Sequence, residues 1–231
     1  DGWSALTDNI YLWLYETNFA HLAYPFNSWD SLVETYRYSA EITAVHVNNL
    51  GAFYGVANPT GFTRLKDYID AKAMYDVNVN YAELVDKFFD GYFAEAAEPM
   101  RKYFDELQAH LRYLEEAFPA DVNGNIYNPM EQTKLWSFGT LNGWLDLIDE
   151  AYEKIESLKA SDPDRYKVLV KHIRLESMFP RFALYRLYSG MYAATDLYNL
   201  RTEFKNDCKD FGITNVSEGT SIDNVFADWG L

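Results

Sequence analysis

The first sixty residues and the rest of the chain have different hydrophobic patterns. Ile10 to Tyr15 is apolar at every position, as in a strand covered on both faces of a parallel sheet. After a loop through Pro25, Ser28 is placed to cap a helix over "WDSLVETYRYSAEITAVHV". There Leu32, Tyr36, Ala40, Ala44 and Val47 recur at spacings of three and four. "LGAFYGVA", residues 50–57, reads as a second short strand flanked by Gly51 and Gly55. A helix from about Phe62 to Tyr75 follows, with Leu65, Ile69 and Ala73 as its apolar line. The order strand, loop, helix, strand, loop, helix makes two βα units.

Beyond residue 78 the period is helical and no further strand is predicted. Asn80 with Glu83 starts a helix that buries Leu84, Val85, Phe88, Phe89, Tyr92 and Phe93. Pro99, at a first helical position, opens another, continued by Met100, Tyr103, Phe104, Leu107, Leu111 and Leu114. "VNGN" at 122–125 is a turn, and a helix covers roughly 141–159. "SDPDR" supplies an N-cap and a first-turn proline for the next helix, which ends at Met178 or continues, kinked at Pro180, to Ser189. A last long helix spans about Ala193 to Phe211 and stops at Gly212, and "SIDNVFADW" adds a short turn of helix. The expected class is mainly α: a multi-helix bundle, residues 78–231, preceded by two βα units, residues 1–77.

Charge sharpens that division. Residues 1–60 hold six acids and one base, Arg37, so the early segment has a buried character and the later helices a solvated one. The net charge of −15 argues against nucleic-acid and anionic-membrane partners, which need clustered Lys and Arg. No apolar run is long enough to span a bilayer. One cysteine, Cys208, excludes an intramolecular disulfide and a cysteine-based metal cluster. The sequence has no phosphate-loop, dinucleotide, zinc-protease or nucleophile-elbow motif and calls for no cofactor or metal. Nothing in it sets an oligomeric state.

Candidate chemistry concentrates in "NIYLWLYETNFAHLAYPFNSW", residues 9–29, the densest aromatic stretch. Glu16, Thr17 and Asn18 follow the first predicted strand, at the end where α/β folds place ligands. Carboxylates and amides bond sugar hydroxyls, and flat aromatic faces cover the apolar faces of sugar rings. A glycosidase needs two acids, and Glu16 has no second acid in a comparable position. Of the four histidines only His21 falls in this loop. Acidic helix faces such as "DLIDEAYEKIE" mix their carboxylates with basic residues and read as solvated.

"LWLYETNFAHLAYPFNSW", "GAFYGV" and "FTRLKDYIDAKAMYDVNVNYAELVDKFFDGYFAEAAEPMRKYFDEL" resemble the bacterial family of domain of unknown function 4838. So do "RYKVLVKHIRLESMFPRFALYRL" and "FGITNVSEGTSID" near the end. The Thr17-Asn18-Phe19 triplet and the stretch from Leu65 to Tyr103 carry most of the likeness. Where the family usually shows Trp-Asp-Tyr, this chain has Leu14-Tyr15-Glu16. The resemblance implies the C-terminal part of glycoside hydrolase-like proteins related in arrangement to α-glucuronidases and hexosaminidases. In those a TIM barrel precedes a helical domain, so the two βα units would be the last two of eight. The catalytic acids of such enzymes lie on earlier strands, so the resemblance implies no catalytic residue in this chain. It implies possible carbohydrate contacts at Tyr15, Glu16, Asn18, Phe19 and Tyr54, and a bacterial protein that is secreted or at the cell surface. The other expectation is an autonomous helical binding module with no enzymatic parent.

Overall fold

The structure, a computed structural model, describes residues 2, 5–7, 13–42 and 57–231. It is mainly helical. In chain order the helices are α1 (Trp29–Ile42), α2 (Thr63–Tyr75), α3 (Tyr81–Tyr92), α4 (Ala97–Ala117) and α5 (Phe138–Ile155). These are followed by α6 (Leu158–Ser161), α7 (Pro163–Leu187), α8 (Ala194–Phe211) and α9 (Asp223–Asp228). Positions 10–12 of the first predicted strand, the end of the first predicted helix beyond Ile42 and the second predicted strand up to Val56, with Tyr54, lie outside the described residues. Residues 13–15 are irregular, and Ala57 is in a turn.

Helix starts follow their capping chemistry. Asn80 Oδ1 accepts the Glu83 N–H, Ser137 the Thr140 N–H and Asp162 the Arg165 N–H, each satisfying a first-turn donor. Gly212, at φ +67, ends α8 in the left-handed conformation. The bounds of two helices differ from the periodicity. Pro99 is the third residue of α4, after a 3-10 turn over Ala94–Ala96, and α5 starts at its Ser137 cap and stops at Ile155. α7 runs through Pro180 to Leu187. Proline has no N–H for the Glu176 carbonyl four residues back. The Tyr103 hydroxyl donates to that oxygen instead, at 3.4 Å.

The expectation of no strand after residue 78 is corrected by a small antiparallel hairpin, β1 (Asn215–Ser217) and β2 (Thr220–Ser221). Strands this short and polar leave no alternating pattern to detect. The hairpin is held by distant chain: Leu22 N–H donates to Val216 O (3.0 Å), Glu218 N–H to Phe19 O (2.8 Å) and Asn58 Nδ2 to Asn215 O (3.0 Å).

α5 packs between α4 and α7, and α1 against α2. Residues on both sides of position 77 share one core. Phe62 meets Tyr103 and Phe104 at 5.1 Å each, Trp29 meets Phe104 edge-on at 5.2 Å, and Tyr24 meets Phe179 at 5.5 Å. The entry to α2 is a tight joint. Gly61 (φ +63) and Phe62 (φ +56) are both left-handed, which turns the Phe62 N–H onto the buried Glu176 carboxyl at 2.7 Å. A Cβ on Gly61 would stand 3.1 Å from Pro25 Cβ and 3.2 Å from Pro25 Cα. Gly61→Ala is therefore expected to cost about 1–2 kcal/mol, read as a lower denaturation midpoint.

Candidate functional site

The irregular segment from Trp13 to Phe19 lies over two distant loops. Its backbone is fixed by Phe19 N–H to Ile126 O at 2.7 Å and by Glu218 N–H to Phe19 O at 2.8 Å. The buried Asn18 side chain uses both ends: Nδ2 donates to Asn128 O at 2.7 Å, and Oδ1 accepts the Ala20 N–H at 3.1 Å. On this frame sits a chain of touching aromatic rings. Trp13 and Tyr15 are 6.2 Å apart, Tyr15 stands edge-on to Phe19 at 5.2 Å, and Phe19 meets Tyr127 at 5.6 Å. Phe19 is buried at the base, while Trp13, Tyr15 and Tyr127 are 55%, 40% and 53% exposed. The Tyr127 hydroxyl donates to the Glu218 carboxylate, so the open strip has an acidic polar edge.

Of the sequence-predicted contacts, Tyr15 belongs to the strip, Phe19 supports it, and Asn18 ties it to the 126–128 loop. Glu16 is turned inward and buried. Tyr54 lies outside the described residues. His21 is half-buried and edge-on to Tyr24 at 5.7 Å, and burial lowers its pKa against the opposing charge of Glu131. Trp13, Tyr127 and Glu218 were not among the predicted contacts. Trp13 was visible in the aromatic run, but no local signal marks Tyr127 or Glu218, which tertiary contacts bring in.

The family model described as a domain of unknown function, DUF4838, matches residues 1–105. Residues 1–105, a little under half of the chain, are similar to that family. No curated protein and no solved structure matches the chain. The DUF4838 match takes in Trp13, Tyr15 and Phe19 and ends within α4, so Tyr127 and Glu218 come from beyond it.

Beneath the strip, the DUF4838 segment buries a charged cluster. Lys66, on α2, is fully enclosed and donates from Nζ to Glu16 O at 2.8 Å and Phe26 O at 2.6 Å. Its ammonium also lies 4.7 Å from the Trp29 ring and 5.3 Å from that of Phe26, a cation–π arrangement. Burial lowers Lys66 to about 8, against the opposing pull of Glu16, Asp70 and Asp67. One turn on, Asp70 accepts the Tyr36 hydroxyl at 3.3 Å and is hydrogen-bonded to the Glu16 carboxyl. Burial first, then the Glu16 charge, pushes Asp70 up to about 8. Two carboxyls in contact do not both ionise readily, so the Asp70–Glu16 pair retains a proton that they share. The cluster is closed to solvent and anchors the aromatic segment from below; it has no surface on which to meet a substrate.

Among the described residues no group of three or more His, Cys, Asp or Glu side chains is placed to hold a metal ion. Cys208 is buried, and burial pushes its thiol up to about 12, far from a reactive thiolate. No described helix is long and apolar enough to cross a membrane.

Proposed function

We propose that this chain is the C-terminal, mostly helical part of a glycoside hydrolase-like carbohydrate-active protein. It contributes an aromatic wall on the substrate side and structural support, and the catalytic acid pair lies elsewhere in the parent. In this reading residues 1–77 are two βα units from the end of a TIM barrel, residues 78–231 are the helical domain that buttresses it, and the parent is a bacterial protein, secreted or at the cell surface. The strip of Trp13, Tyr15 and Tyr127 carries the proposal. Its exposed rings match the apolar faces of sugar rings, and the neighbouring Glu218 carboxylate can accept a hydroxyl.

Calorimetric titration of the purified chain with neutral oligosaccharides tests it. Trp13→Ala and Tyr127→Ala should each weaken binding about 2- to 12-fold, since an aromatic contact contributes roughly 0.5–1.5 kcal/mol. No binding across the panel, or an unchanged affinity in the double variant, would sink the reading. Glycosidase turnover by this chain would overturn its non-catalytic role. The alternative, an autonomous helical binding module, draws on the single core that joins Ala23 to Trp229. The sequence upstream of Asp1 separates the two: six further βα repeats with a strand-end acid pair would exclude the autonomous module.

A further inference from the structure

Away from the aromatic strip, the start of α2, the ends of α3 and α8 and the middle of α7 surround a pocket of about 210 Å³. That is room for a small ion with several waters. Arg64 from α2, Lys171 and His172 from α7, and Asp210 from α8 supply its ionisable lining, and Tyr92 closes one side. On a chain of net charge −15, three of these four groups are positive or can become so.

Existing partners decide how much of that charge is available. Arg64 commits Nη1 to Asp67 at 3.2 Å, which leaves other guanidinium donors. Asp210 pairs with Arg174 at 3.0 Å, so its charge is offset. Lys171 has no ion pair among the described residues. The ends of α3 and α8 each bring roughly half a negative charge, which the Lys171 ammonium balances. The pocket is therefore close to neutral until His172 is charged.

His172 is held for that role. Its ring lies flat on Tyr92, 3.7 Å away and within 5° of parallel. Its Nδ1 is 2.7 Å from the Tyr92 carbonyl, which can only accept, so Nδ1 carries a proton and Nε2 is the nitrogen that titrates. Burial keeps His172 below the usual histidine range; the Tyr92 carbonyl opposes this and the Lys171 charge adds to it. Asp67 and the Glu176 carboxyl, which accepts the Phe62 N–H, also face Tyr92, and Arg174 reaches the pocket through Asp210.

We propose that this pocket is a proton-gated site for a small oxyanion: a carboxylate, sulfate or phosphate group. The anion is held by Arg64 and Lys171, and its arrival draws a proton from solvent onto His172 Nε2. The pocket is switched on as the pH falls, and by linkage the bound anion raises the proton affinity of His172.

The test is a titration with inorganic sulfate, which stays fully ionised between pH 5.5 and 8, at constant ionic strength. The readout is the NMR signal of the His172 ring, assigned with His172→Gln. The expected result is saturable binding that weakens at least tenfold from pH 5.5 to 8. Arg64→Gln and Lys171→Gln, both at exposed side chains and checked for retained helicity, should each weaken it several-fold. A signal that rises linearly with sulfate, saturates alike in the double variant, or shows no pH dependence overturns the proposal. Parallel titrations with acetate and methyl phosphate separate a carboxylate ligand from a tetrahedral one. Because the pocket is apart from Trp13 and Tyr127, variants there should leave sulfate binding intact whatever becomes of the saccharide reading.

Discussion

Trp29→Ala is expected to destabilise the protein by about 3–5 kcal/mol. Trp29 is wholly buried at the first turn of α1 and stands edge-on to Phe104. Its Nε1–H donates to Phe62 O at 3.3 Å, and its face receives the Lys66 ammonium. Truncation removes the aromatic volume that joins α1, α2 and α4 and leaves a buried cation facing a void. For a chain of this size the loss corresponds to a fall in Tm of about 6–20 °C, measurable by calorimetry. Trp29→Phe should cost much less. It keeps most of the packing, and Phe62 O still accepts the Leu65 and Lys66 N–H groups at 3.1 and 3.4 Å. A Trp29→Ala protein within 1 kcal/mol of the parent would refute this account of the core.

The second large effect is a loss of stability as the pH rises from 6.5 to 8. Asp70 and Glu176 are both pushed up to about 8, chiefly by burial. A carboxyl with a raised folded-state pKa binds its proton more tightly in the folded chain. Its stabilisation is present at low pH and is lost as the pH climbs through the folded value, at up to about 1.4 kcal/mol per pH unit for each group. Lys66, lowered to about 8, has the opposite sign but acts above that value, where stability recovers towards its ordinary 10.5. His21, His110 and His172, all lowered by burial, reduce stability only as the pH falls below 6.5, outside this window. Asp70→Asn can still donate to Glu16, and Glu176→Gln still accepts the Phe62 N–H. Each should flatten the Tm profile between pH 6.5 and 8. Parallel profiles for the parent and the double variant would show that these carboxyls are not the cause.

The anchoring cluster also shows where sequence reading ends. Lys66 and Asp70 are four residues apart on α2, the spacing of an ordinary surface ion pair. Nothing local distinguishes them from the exposed Glu83–Lys87 pair on α3, yet the loop from Glu16 to Phe26 folds over them. Glu16 itself could be placed in the right neighbourhood from its aromatic surroundings, but its inward turn depends on Asp70, far along the chain. In the same way Tyr15 and Phe19 were legible as an aromatic panel. Tyr127 and Glu218 were not, because only the clasp between residues 19, 126 and 218 brings them to it.

What the sequence determined by itself is local: the amphipathic faces of α1 to α5, α7 and α8, the caps at Asn80 and Asp162, and the stop at Gly212. These rest on periodicity, capping and composition, which neighbouring residues carry. The tertiary structure alone decided the hairpin, the passage of α7 through Pro180, the burial of Lys66, Asp70 and Glu176, and the pocket around His172. Each depends on a partner distant in sequence, such as Leu22 for β1 or Tyr103 for the Glu176 carbonyl. Burial of a polar group follows from what the rest of the fold lays over it, and a short window of sequence holds no record of that.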